Sequence, residues 1–145
     1  MSSQRHAAVV GLGSVLPERI VSNEWFESFI DTSDEWIRER TGIRERHYAL
    51  DGQTTSDLAT DATRRALETA SIAPEQIDLL VCATLTGDTP IPSTAVWVQR
   101  KLGITAPAFD VNAACAGFSY ALSTATAFIE SGEAETAAVM GGESL

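Results

Sequence analysis

The sequence predicts an α/β fold built on a mostly parallel sheet, and three observations carry that prediction. Short apolar runs at 7–15, 77–84, 108–111 and 136–140 alternate with stretches of helical apolar spacing. Proline or glycine marks the changes of pattern, at Pro17, Gly42, Pro74, Gly103 and Gly132. Strands separated by helices imply right-handed crossovers between parallel neighbours. Composition agrees: 145 residues with 44% hydrophobic and 21% charged content can bury a sizeable core.

Taken in order, residues 7–15 read as a buried strand that ends at Pro17. Gly11-Leu12-Gly13 reads as a tight turn and not as a dinucleotide fingerprint, because Leu16 stands where the third glycine is needed. Ser22 or Asn23 caps a short helix whose Trp25, Phe26, Phe29 and Ile30 share one face. Thr32-Ser33-Asp34-Glu35 fits a capping box, with Thr32 at the N-cap and Glu35 at N3. It opens a helix through Arg40 that Gly42 stops. Residues 43–48 form a second strand, polar enough to lie near the surface. Residues 55–70 form an amphipathic helix with Leu58, Ala59, Ala62, Ala66, Leu67 and Ala70 inward. Pro74-Glu75-Gln76 breaks the chain before a strand at 77–84, in which Cys82 is a core thiol. A helix at 93–102 closes at Gly103. A strand at 108–111, a helix at 115–131 and a strand at 136–140 follow. Gly141-Gly142-Glu143-Ser144-Leu145 comes directly after that strand with no covering helix, which reads as an unfinished domain.

Several classes are disfavoured. A net charge of −10 argues against a nucleic-acid partner. There is no apolar run of bilayer length, and Met1-Ser2-Ser3-Gln4-Arg5-His6 leads straight into a strand pattern unlike a signal peptide, so no membrane partner is expected. Cys82 and Cys115 form no metal or redox motif; a reducing cytoplasm and no metal are the expectation.

Cys115 is the most informative residue. It lies on the turn between an apolar strand and a small-residue helix, where the helix dipole and unpaired N–H groups favour a thiolate. Ala113, Ala114, Ala116 and Gly117 leave room for a substrate and for a sharp turn. Two readings fit this pattern, a nucleophile and a buried structural thiol. Arg38, Arg40, Arg44 and Arg46 concentrate four of the ten basic residues beside Trp36. An aromatic face with guanidinium groups suits a nucleotide, but interleaved Asp34, Glu35, Glu39 and Glu45 favour a solvated, salt-bridged helix on pattern alone. His47 reads as a surface or strand-end residue.

Two segments together resemble one family. Asp31-Thr32-Ser33-Asp34-Glu35-Trp36-Ile37 with Arg40-Thr41-Gly42-Ile43-Arg44-Glu45-Arg46-His47 resembles the N-terminal signature of 3-oxoacyl-[acyl-carrier-protein] synthase III, of the thiolase-like superfamily. Ala108-Phe109-Asp110-Val111 with Ala113-Ala114-Cys115-Ala116-Gly117-Phe118 is similar to that family's active-site cysteine segment. The likeness covers essentially all of 1–145 as one N-terminal thiolase-like half-domain, with the C-terminal half absent and the αβαβα layering incomplete.

The resemblance implies roles. Cys115 would accept the acyl group, and its backbone N–H would form half of an oxyanion hole. Trp36 would stack on the adenine of coenzyme A, Thr32 would hydrogen-bond the base, and Arg40 would reach the phosphates. Ile91, contributed to a partner subunit, and Leu145 would line the acyl pocket, and residues 107–111 would form the seam of a homodimer. The implied substrates are acyl-CoA, acetyl-CoA first among them, and malonyl-ACP, with coenzyme A as part of a substrate and no separate cofactor. The His and Asn of the decarboxylative step belong to the family's other half, which a companion chain would have to supply; His6 and His47 do not match them. Alternatives are an acyltransferase of specialised metabolism using the same cysteine, and a non-catalytic interaction half-domain.

Overall fold

In the computed structural model, which describes residues 5–144, the chain divides into two compact units, 16–53 and the remainder. Leu145 lies outside the described residues.

The small unit is a hairpin that carries two short helices. Strand β1 (Arg19–Ser22) leads directly into α1 (Asn23–Glu27), then α2 (Asp34–Thr41), and strand β2 (Glu45–Tyr48) returns antiparallel to β1 with Arg19 opposite Tyr48. Asn23 holds this unit together from a fully buried position. Its amide donates to Asp34 Oδ1 and to the Ile43 carbonyl, both at 2.8 Å, and its oxygen accepts from Arg46 at 2.6 Å. The first of these bonds also holds the Asp34 carboxyl below the usual range. The predicted aromatic face forms a cluster of edge-on rings, with Trp25 4.6 Å from Phe29 and 6.0 Å from Tyr48 between centroids.

One expectation here is corrected. The N-cap of α2 is Ser33, not Thr32: Ser33 is extended (φ −145°, ψ 158°) and its hydroxyl accepts from Trp36 N–H at 3.1 Å. The N3 position therefore falls on Trp36 and not on Glu35. The Glu27 carboxylate takes the Asp34 N–H instead, so two neighbouring donors are satisfied without Thr32. Gly42 ends α2 in the left-handed conformation (φ 74°), as a helix stop requires.

The larger unit is a three-layer α/β sandwich. Its elements are α3 (Thr55–Ala70), β3 (Leu79–Ala83), α4 (Thr94–Leu102), β4 (Ala108–Val111), α5 (Gly117–Ser131) and β5 (Ala137–Gly141). The sheet is parallel in the order β4-β3-β5, with Leu80 opposite Ala108 and Leu79 opposite Ala137. Every residue of β3 is buried because both faces are covered. Leu80 and Cys82 meet Ala59, Leu67, Ala95 and Val98 of α3 and α4, whereas Leu79, Val81 and Ala83 meet Ala121 and Ala125 of α5. A reciprocal capping box, Thr54 with Asp57, starts α3 where the sequence places it.

The inward face of α3 differs from expectation. Leu58, Ala59 and Leu67 are buried, but Ser56, Thr60 and Thr63 are buried with them. The threonine hydroxyls are satisfied locally, donating to the Ser56 and Ala59 carbonyls at 2.6 and 2.7 Å.

Residues 7–15 are not a strand, which corrects the reading of a buried β run. Val9, Val10 and Leu12 are exposed. The segment instead lies against α3, with Arg65 donating to Ser14 O at 2.7 Å and Thr69 to Leu12 O at 3.2 Å. The glycines allow this approach and do not make a tight turn. A Cβ on Gly11 would sit 2.3 Å from Ala66 O, and one on Gly13 2.2 Å from Ala62 O.

Candidate active site

All three strands of the large unit are parallel, so the segments that leave their C-terminal ends emerge at one edge of the sheet. Open α/β sheets bind ligands at that edge. Here β3 releases the loop carrying Ile91, β4 releases the turn carrying Cys115, and β5 releases Gly142, Glu143 and Ser144.

Cys115 is the middle residue of a 3₁₀ turn (Ala114–Ala116) between β4 and α5, and it is exposed. The buried-thiol reading is thereby excluded for this residue. The turn is sharp: Ala113 lies at φ −147°, ψ 33° and Ala114 at φ 48°, the left-handed region that a residue with a Cβ rarely enters. Gly117 begins α5 in close contact with the sheet, where an added Cβ would stand 3.3 Å from Ala83 Cβ. The N-cap of α5, Ala116, makes no side-chain capping bond. The turn's own carbonyls take the N–H groups nearest the thiol instead: Ala116 N–H donates to Ala113 O at 3.1 Å and Gly117 N–H to Ala114 O.

The second cysteine is the opposite case. Cys82 is fully buried in β3, and burial, reinforced by Asp110, Glu143 and Asp88, pushes its thiol up to about 12. It is a core residue, as the sequence indicated.

Three carboxylates that sequence reasoning assigned no role shape this edge. Asp110 in β4 accepts from the buried Thr94 and Ala95 N–H groups at 2.7 and 2.8 Å and so caps α4 from another element. Asp88 accepts from the Ser56 N–H and hydroxyl at 2.8 and 2.5 Å. Glu143 accepts from Leu85 and Thr86. Only Asp110 carried a signal, as an acid inside an otherwise apolar strand.

Thr32, Trp36 and Arg40 lie in the small unit, around the start and body of α2. Trp36 is 53% exposed, and the Arg40 guanidinium carbon stands 4.9 Å from the centroid of its ring. The Thr32 hydroxyl is buried and has no hydrogen-bond partner among the described residues. The expected salt-bridged helix is largely missing: of the four clustered arginines, only Arg38 forms an ion pair among the described residues, with Asp34 at 3.2 Å. Ile91 is 89% exposed on its loop. His47 Nδ1 lies 2.6 Å from Pro17 O, and His6 faces Glu130 at 3.8 Å. No cluster of His, Cys, Asp and Glu suited to a metal occurs among the described residues, and none of their helices is long and apolar enough to cross a membrane.

The fold is thiolase-like α/β with a parallel sheet. The 3-oxoacyl-[acyl-carrier-protein (ACP)] synthase III family matches residues 109–145. The β-ketoacyl-[acyl-carrier-protein] synthase III of Xanthomonas campestris pv. campestris (strain 8004) is 51% identical over 146 residues, covering 100% of this chain and 45% of that protein. The crystal structure of 3-oxoacyl-(acyl carrier protein) synthase III from Pseudomonas aeruginosa PAO1 superposes with TM-score 0.89 at 44% identity, covering 94% of this chain and 43% of that one. The priming β-ketosynthase of the R1128 polyketide pathway gives TM-score 0.84 at 41% identity, over 92% of this chain and 40% of that one. In sequence and fold this chain is similar, over essentially its whole length, to part of 3-oxoacyl-[acyl-carrier-protein] synthase III. It spans less than half the length of these relatives.

Proposed function

We propose that this chain supplies the acyl-accepting half of a condensing enzyme that initiates fatty-acid synthesis in the cytoplasm. The observation that carries the reading is the exposed Cys115 on a left-handed turn, at the sheet edge where α/β folds bind ligands. The Cys115 thiolate attacks the carbonyl carbon of an acyl-CoA, acetyl-CoA first among them. Coenzyme A leaves as its thiol and the acyl group stays as an enzyme thioester. One thioester replaces another of similar energy, so the step costs little. Malonyl-ACP then loses carbon dioxide, and its carbanion attacks the acyl carbon to give 3-oxoacyl-ACP and the free thiol. The His and Asn that stabilise this second step come from the remainder of the enzyme. No metal and no further cofactor enters the scheme.

Trp36 offers an exposed ring for the adenine of coenzyme A, the Thr32 hydroxyl has hydrogen-bonding capacity to spare, and Arg40 is charged and exposed for the phosphates. Ile91 lines the acyl pocket of a partner subunit, and Leu145, outside the described residues, lines its own. The outer edge of β4 carries no partner strand among the described residues, which supports pairing of residues 107–111 across a homodimer axis.

A second reading rests on the 41% identity to the priming β-ketosynthase: the same cysteine chemistry serving specialised metabolism. Acceptor and acyl preference separate the two. The test is acyl transfer from acetyl-CoA to protein. Cys115→Ala abolishes it, while Trp36→Ala weakens coenzyme A binding and leaves Cys115 open to alkylation. Transfer that survives in Cys115→Ala overturns the proposal.

A further inference from the structure

The loop between β3 and α4, residues 84–93, has no regular structure, yet groups from elsewhere hold it along its length. At its start, the Glu143 carboxylate accepts from Leu85 N–H at 2.9 Å, from Thr86 N–H at 3.0 Å and from the Thr86 hydroxyl at 2.5 Å. That hydroxyl in turn accepts from Ser144 N–H at 2.9 Å, and Thr55 donates to Thr86 O at 2.6 Å. In the middle, Asp88 is bound to Ser56. Toward its end, Trp97 Nε1 donates to the Thr89 hydroxyl, which donates to Pro92 O, both at 3.0 Å. Ile91 stands between Pro90 and Pro92, whose rings fix φ on either side.

Ile91 makes almost no contact of its own in this chain, so its position is set by the anchors of the loop and not by its packing. The anchors are not equivalent. The bond through Asp88 also satisfies the Ser56 N–H at the start of α3, and its loss affects the stability of the fold. Glu143 is exposed, and its partners are the amides and hydroxyls of Thr84, Leu85 and Thr86 at the loop's start. Its removal therefore frees the loop and leaves the layers in place.

We propose that Glu143 is a positioning residue for acyl-chain selection: it holds the 84–93 loop through Leu85 and Thr86, and thereby fixes where Ile91 is presented. This rests on the proposed function, in which Ile91 closes an acyl pocket. A residue that only stabilised the fold would alter acylation by all chain lengths alike. A positioning residue alters the ratio between them.

The test uses the whole protein that carries this chain, as wild type, Glu143→Gln and Thr86→Val. Thr86→Val removes one donor to the carboxylate and serves if Glu143→Gln does not fold. Rates of Cys115 acylation by acetyl-CoA and by hexanoyl-CoA are read by intact mass, with amide exchange at Leu85 and Thr86 measured alongside. A lost bond to a charged acceptor should speed exchange at these amides about tenfold or more. We expect the hexanoyl-to-acetyl ratio to change about fivefold or more, on the same scale, with iodoacetamide reaction at Cys115 unchanged. A ratio constant within about twofold, or two rates that fall in parallel, overturns the inference while the proposed function stands. A wild-type protein that forms no adduct at Cys115 overturns the proposed function and this inference with it.

Discussion

Asp110→Asn is the most informative single change to the fold around the site. The carboxylate uses one oxygen for Thr94 N–H and the other for Ala95 N–H, and both of those residues are completely buried. The nominal N-cap, Ser93, makes no side-chain cap bond, so Asp110 is the group that satisfies the start of α4. An asparagine keeps the shape but has one oxygen, so its NH₂ must face one of the two donors. An unpaired buried donor costs about 1–3 kcal/mol, and loss of negative charge at a helix N-terminus adds about 0.3–1 kcal/mol. The sum, about 1.3–4 kcal/mol, is a large share of the 5–15 kcal/mol (roughly) that a folded domain possesses. With a mid-range urea slope of about 2 kcal/mol per M, the unfolding midpoint should fall by about 0.7–2 M at constant slope. Asp61→Asn, which loses only an exposed pair with Arg64, is the control and should stay within about 0.5 kcal/mol of wild type. An Asp110→Asn midpoint within about 0.3 M of wild type would refute the assignment of Asp110 as the cap of α4.

Other perturbations follow from the same geometry. At pH 8 iodoacetamide should label Cys115 and leave Cys82 untouched until the protein is unfolded, since the Cys82 thiol is buried and raised to about 12; labelling of Cys82 in the native protein contradicts the burial of β3. Lys101→Met removes the 2.7 Å contact to Asp57 and the bonds to Ser56 and Thr54, and should cost about 0.5–1 kcal/mol at neutral pH, the range for a partly exposed pair. The Lys101 hydrogen bond holds the Asp57 carboxyl below its ordinary value. Its contribution is therefore complete above about pH 4 and lost as pH falls through the lowered value, so the two proteins' unfolding midpoints should converge only in acid.

Much of this fold can be read from local pattern because its signals are local. The helix at 55–70 and the strand at 108–111 fall where periodicity and punctuation put them. Glycines 42, 103 and 132 all end helices with positive φ. The readings that differ depend on what lies across space. Nothing in Ala7-Ala8-Val9-Val10 says that no strand partners it, and the glycines after it serve a helix that follows much later in the chain. Ser33 and Thr32 have the same capping chemistry, and only the extended backbone at Ser33 decides between them. The same distinction holds at the site. Cys115 is visible because its small neighbours are adjacent to it, whereas Asp110, Asp88 and Glu143 act on amides 15 to 58 positions away.

The most direct test of the central claim is intact-mass spectrometry of the native protein after incubation with acetyl-CoA, followed by peptide mapping. A single acetyl-sized increase is expected on Cys115 and not on Cys82, discharged when malonyl-ACP is added to the complete enzyme. An adduct on Cys82, or no adduct on a complete, folded enzyme, would contradict it.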